Sequence, residues 1–294
     1  MPCKYDASII GGDSRQVCLA SILIESGFKI TTFGLSPDIL NNGDSLQKVM
    51  EYGKTLITPI PFSKDKVNIN NIYDNISIKD FILNLDLQHY LIGGNIPKEV
   101  AQACIDKNIS YFDIMEDKNI STLNAIATAE GAIAEAIFKS NINLHQSKTL
   151  ILGYGKCGKV LSSKLRALGA KVTVGARKEY DLTQAYTNCF DCLKLGKNEP
   201  TIHEFNFIFN TIPSLILNEK ALMTASKDVT IIDIASAPGG VDYECAKKLN
   251  LNTHLCLGIP GKFAPKSSAE FIAKAIIPIL KERSELNLPY PKKA

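Results

Sequence analysis

The chain has 294 residues, 45% hydrophobic and 21% charged, with a formal net charge of +3. That length allows two domains with cores of their own, and so small a charge argues against a nucleic-acid partner. No apolar run reaches membrane-spanning length, and no basic stretch followed by an apolar signal region opens the chain.

Residues 1–120 read as an N-terminal α/β domain that holds substrate. Its predicted strands are 7–10, 28–33, 54–57, 90–92 and 110–114, and its predicted helices 14–26, 44–52 and 97–107. Alternation of that kind implies a parallel sheet, whose ligands bind beyond the carboxyl ends of the strands. Three stretches fall there: Gly11 to Gln16, Thr58 to Pro61, and Gly93 to Asn95. In the first, Gly11 and Gly12 lead into a helix start beside Arg15, which suits a carboxylate. Asp13 or Ser14 capping the helix, with Arg15 in solvent, fits the spacing equally well. Residues 63–80 are polar and Asn-rich and read as an excursion.

A long Ala-rich helix is predicted over 121–139, within a linking segment 121–145. Gly131 sits in its middle, where glycine costs about 1 kcal/mol relative to alanine, so close packing or ligand approach is expected there.

The segment 146–265 reads as a nucleotide-binding domain. Strand 148–152 runs into Gly153-Tyr154-Gly155-Lys156-Cys157-Gly158, then a helix over 159–168 and a strand over 170–174. This is the context the dinucleotide fingerprint requires. Gly153 permits the tight turn, Gly155 lets backbone approach a pyrophosphate, and Gly158 lets helix pack on strand. The second strand ends in Ala176-Arg177-Lys178 rather than in an acidic residue. Arg177 can fork onto a 2′-phosphate and Lys178 adds charge, which favours NADP, with NAD open as the alternative. Both can also be solvated loop charges. A helix is expected near 182–186 and another over 241–249, with strands at 207–209, 229–232 and 253–255. Asn210 and Thr211 follow the first of these strands, where the nicotinamide half of a cofactor would lie; turn formation before Pro213 is the plainer reading. A terminal helix over 268–285, within a segment 266–294, is expected to pack back on the first domain, with a cleft between the domains.

The eight cysteines are scattered, and most are expected to be buried thiols of a cytoplasmic protein. Cys189-Phe190-Asp191-Cys192 lacks the second pair that a zinc or redox site needs, no cluster has metal-ligand spacing, and no nucleophile elbow is present.

Six stretches together carry a resemblance: Gly11 to Gln16, 123–131, Gly153 to Gly158 with Gly175 to Arg177, Asn210 to Pro213, 233–242, and Pro260 to Pro265. In this order the chain resembles the family formed by the A subunits of dipicolinate synthase in spore-forming bacteria. The Gly-Gly-Asp-x-Arg start, the Thr-Ala-Glu-Gly segment and the Pro-Gly-Lys-x-Ala-Pro ending carry most of its specificity. Residues 63–80 depart from the pattern. The resemblance implies two Rossmann-like α/β domains with parallel sheets, arranged as in 2-hydroxyacid dehydrogenases. It implies NADP-linked oxidation of a dihydrodipicolinate-type intermediate to dipicolinate in the mother cell. It also implies a partner, the flavoprotein-like B subunit of dipicolinate synthase, and leaves a homo-oligomer open.

Such chemistry needs removal of a hydride and a proton and a clamp for two carboxylates. For the clamp the sequence offers Arg15 with the Gly11 and Gly12 backbone, and Ser236 or Lys262. Ser236 could instead cap a helix, and Lys262 could be a surface lysine. Glu130 and Asp233 are the candidate proton acceptors, and Lys262 joins Glu130 in the candidate catalytic set. His254 reads as a satisfied core histidine; His89, His145 and His203 have no motif around them. Two other readings stay open: a dehydrogenase of another 2-hydroxy or 2-amino acid, and a non-catalytic NADP-binding regulatory subunit.

Overall fold

The computed structural model describes residues 4–35, 43–71, 75–196 and 200–286. Lys292 and Lys293, read as a frayed end, lie outside them. The chain forms two compact units, Met1–Leu123 with Pro265–Ala294, and Asn124–Ala264.

The first unit begins with β1 (Ala7–Ile10), α1 (Ser14–Glu25), β2 (Ile30–Phe33), α2 (Leu46–Tyr52) and β3 (Thr55–Ile57). There follow β4 (Asn68–Ile69), β5 (Ile76–Ser77), α3 (Ile78–Asn84), β6 (Tyr90–Gly93), α4 (Lys98–Asp106) and β7 (Ser110–Asp113). Five strands form a parallel sheet in the order β2-β1-β3-β6-β7. The order reverses between β1 and β3, so Gly11 and Thr58, just past those strands, stand at the switch point where such sheets bind ligands. β1 and β3 are buried along their whole length, as strands covered on both faces must be.

The second unit takes over inside α5 (Lys118–Lys139). It continues through β8 (Lys148–Leu152), α6 (Lys156–Ala167), β9 (Lys171–Ala176), α7 (Glu179–Thr187), β10 (Asp191–Lys194) and β11 (Phe207–Asn210). Then come α8 (Glu219–Leu222), β12 (Thr230–Asp233), α9 (Tyr243–Lys248), β13 (Asn252–Leu255) and α10 (Ile259–Phe263). Its sheet has the order β10-β9-β8-β11-β12-β13, all parallel. That is the Rossmann order, with its reversal between β8 and β11. The ends of those two strands, Gly153 and Thr211, meet there.

The chain closes with α11 (Pro265–Leu286) in the first unit. Ile272, Ile276 and Leu280, at helical spacing, join Leu19 and Leu23 of α1 and Ile9 and Ile57 of the sheet in one core. Burial of each such side chain stabilises by roughly 1.5–3 kcal/mol. On the opposite face Val49, Phe81 and Val100 from α2, α3 and α4 cover Ile10, Leu56 and Leu91.

Five local readings change. Residues 63–80, read as an excursion, carry regular structure: β4 and β5 pair antiparallel, and α3 begins at Ile78. The fingerprint helix starts at Lys156 rather than three residues later. Residues 259–263, for which no element was expected, make α10, and Asp191–Lys194 adds an unforeseen edge strand. Of the described cysteines only Cys104 and Cys256 are buried, while Cys189 and Cys192 are exposed, so most are not core thiols.

Candidate functional site

The second unit builds a phosphate cradle from backbone. Gly153 has φ +99°, and its N–H donates to Gly175 O at 2.8 Å. A Cβ there would stand 2.3 Å from Thr211 Oγ1, which itself donates to Leu152 O at 2.9 Å. Only glycine fits, because the backbone is left-handed there and the Thr211 hydroxyl occupies the place of a Cβ. A Cβ at Gly158 would lie 2.1 Å from Gly153 O, so the helix rests directly on the turn. At Gly155 a Cβ would meet no protein atom within 4 Å. Gly155 is also the N-cap of α6 and offers no side-chain acceptor. The first N–H groups of a twelve-residue helix therefore open onto clear space, which suits a pyrophosphate.

The other predicted cofactor residues divide. Lys156 is exposed at the helix start. Arg177 and Lys178 are exposed just past Ala176, with no acidic side chain at that strand end. Tyr154 is 4% exposed and packs edge-on against Phe190, so only its backbone could meet a ligand. Cys157 is half-buried, and burial pushes its thiol up despite the Thr128 hydroxyl. Asn210 leaves the cofactor set. It is fully buried, its Nδ2 donates to Asp233 Oδ1 and Ile212 O, and its Oδ1 accepts from Ile212 N. The turn before Pro213 uses the whole amide.

Asp233, weighed as a proton acceptor, is likewise committed. Its carboxylate accepts from Asn210 Nδ2, Ala235 N, Gly240 N and Tyr243 Oη at 2.7–3.0 Å. Burial first, and that contact second, push the Tyr243 phenol far up. Ser236 is exposed in the following turn. It caps no helix, because Asp242 does so through Cys245 N.

Glu130 and Lys262 each carry a different partner. Glu130 is exposed and pairs with Lys164 at 2.8 Å, which is not the desolvated setting of a poised base. Lys262 pairs with Glu135 at 2.5 Å, and that hydrogen bond holds its ammonium above the ordinary lysine value. It is a fixed cation and cannot take up a proton at neutral pH. Sequence reading passed over Glu135, although a lone acid among Ala132, Ile133 and Ala136 on a helix face signals a buried charge needing a partner.

In the first unit, neither simple expectation for Arg15 describes what is seen. Asp13 does cap α1, in a capping box with Gln16. Yet Arg15 is 3% exposed, and its Nε and Nη2 fork onto the Asp13 carboxylate at 2.9 and 2.7 Å. Nη2 also donates to Ile60 O, tying the loop after β1 to the loop after β3. Burial pushes Asp13 up, but the Arg15 contacts outweigh it and hold the carboxyl below its usual value. Nη1 makes no hydrogen bond among the described residues. Gly11 and Gly12, at φ +69° and +130°, pass beneath the β4–β5 pair; Asn70 O would lie 3.2 Å from a Cβ at Gly11. Asn70 Nδ2 is buried without a hydrogen-bond partner among the described residues, a donor the sequence did not single out.

Residues 6–115 match the family model of the N-terminal domain of the dipicolinate synthase A subunit, and the match runs through residues 63–80. The A subunit of dipicolinate synthase from Bacillus subtilis (strain 168) is 27% identical over 288 residues, covering 94% of this chain and 95% of that protein. The chain is similar to the dipicolinate synthase A subunit along nearly its whole length. The crystal structure of that subunit from Bacillus halodurans superposes with a TM-score of 0.81 at 27% identity, covering 95% of this chain and 99% of that one. An L-alanine dehydrogenase at 12% identity, with a TM-score of 0.62 over 95% of this chain and 90% of its own, shares the fold. Both parallel sheets are thus Rossmann-like. Among the described residues no cluster of His, Cys, Asp and Glu could hold a metal, and no helix is long and apolar enough to cross a membrane.

Proposed function

We propose that the chain oxidises a dihydrodipicolinate-type intermediate to dipicolinate within a two-subunit synthase, in the mother cell of a spore former. The observation that carries this reading is similarity to the dipicolinate synthase A subunit, which extends along nearly the whole chain. Making the ring aromatic removes a hydride and a proton. A bound nicotinamide dinucleotide, NADP in preference to NAD, would supply the hydride acceptor. The chain's own residues do the rest. Gly153, Gly155 and the α6 N-terminus hold the pyrophosphate, and Arg177 and Lys178 meet the 2′-phosphate. Arg15 and the Gly11 and Gly12 backbone are the substrate donors of the first unit; Ser236 and Lys262 are those of the second. Lys262 acts as a charge, and the ring proton leaves to solvent without a buried base. The flavoprotein-like B subunit of such a synthase is the proposed partner.

The test is dipicolinate formation, followed by absorbance, from enzymatically generated dihydrodipicolinate. It is run with NADP or NAD, with and without a candidate partner of the flavoprotein-like kind. Turnover that requires this chain and prefers NADP supports the reading. Tight NADP binding with no turnover in any mixture would move the assignment to another substrate or to a regulatory role.

A further inference from the structure

Lys262 is 63% exposed, yet it is not a free surface lysine. Its Nζ lies 2.5 Å from Glu135 Oε1, a carboxylate 127 residues earlier in the chain and only 7% exposed. The other Glu135 oxygen faces Lys139 Nζ at 3.8 Å. The Lys262 ammonium also stands 5.2 Å from the Phe263 ring.

One helical turn before Glu135 lies Gly131. A Cβ there would stand 2.2 Å from Ile259 Cγ2 and 2.8 Å from Phe263 Cδ2. α10 therefore sits down on α5 at Gly131 and is pinned to it one turn later by the ion pair. Glycine permits the approach and glutamate fixes the charge. A cation held in place before ligand arrives loses little freedom on binding, which is how preorganised contacts gain strength.

We propose that Glu135 is a positioning residue: it sets the Lys262 ammonium where it meets a carboxylate of the dicarboxylate substrate. This rests on the reading above that Lys262 contacts substrate.

A double-mutant cycle on the full chain, with NADP and the candidate flavoprotein-like partner, tests it. The substrate is enzymatically generated dihydrodipicolinate, and dipicolinate titration against the NADP complex gives a parallel readout that needs no turnover. Lys262→Met is expected to raise KM and the dipicolinate Kd about tenfold. Glu135→Gln is expected to do the same, with kcat and NADP affinity changed less than about twofold, and to add nothing in the Lys262→Met background. Glu135→Asp should recover part of the loss, and it replaces Glu135→Gln in the cycle should the latter not fold. An equal rise in KM from Glu135→Gln in both backgrounds would mean a merely structural role and overturn the proposal. So would an unchanged KM in Glu135→Gln beside a raised KM in Lys262→Met, with the functional reading left standing. If Lys262→Met alone changes nothing, the assignment of Lys262 to the substrate falls and the proposal with it.

Discussion

Asn210 and Thr211 are adjacent in sequence, yet only Thr211 stands at the fingerprint turn with its side chain partly accessible. Asn210 and Asp233 instead tie the ends of β11 and β12 together beneath the 234–240 turn. Asp233→Ala would leave Asn210 Nδ2, Ala235 N, Gly240 N and Tyr243 Oη without their acceptor, and should cost about 3–5 kcal/mol in chemical denaturation. A loss below about 1 kcal/mol would mean that water replaces the carboxylate at no penalty. Two exposed residues carry predictions about chemistry. Arg177→Asp should weaken NADP binding at least about tenfold while NAD binding changes little, read by fluorescence titration; equal losses would remove Arg177 from the 2′-phosphate site. Glu130→Gln should leave kcat within about twofold, since its carboxylate pairs with Lys164 in solvent. A drop of a hundredfold would restore it as the base.

Gly131→Ala tests how α10 is seated. In an open helix the change would stabilise by about 1 kcal/mol. Here the new methyl collides with Ile259 and Phe263, so a net loss of about 1–3 kcal/mol is expected from thermal or denaturant unfolding. A gain would show that α10 can lift off α5 freely. The same comparison explains what sequence could reveal. The fingerprint was legible because each of its glycines answers a local demand of turn, phosphate approach or helix contact. The two central strand series were legible as short apolar runs between turns. α10 was not, because five residues with Pro260 and Gly261 carry no periodicity and the helix exists only against α5. Nor was the commitment of Arg15 to Asp13 and Ile60, since nothing in the spacing tells whether the guanidinium stays inside.

Across the molecule, acid sensitivity has an identifiable source in the first unit. His89 is 1% exposed; its Nδ1 accepts from Asp86 N, so Nε2–H donates to Met50 O. Burial pushes it below the ordinary value of 6.5. The unfolded chain then binds the proton more readily than the folded one, so this contribution is complete above 6.5 and is lost as pH falls through that value toward the folded one. The unfolding midpoint should fall between pH 8 and pH 5, and His89→Gln should flatten the slope. A wild-type midpoint constant over that range would contradict the assignment.

The first unit is made of two pieces of chain, with α11 entering its core after the second unit has been traversed. On a ribosome this order becomes a delay. Residues 124–264 must be synthesised before α11 exists, which at about 5–20 residues per second is on the order of ten seconds. Throughout that time Leu19, Leu23 and Ile57 lack the side chains that α11 contributes to their core. The second unit can close as soon as Ala264 emerges, so the domain whose sequence comes first is the one that finishes last.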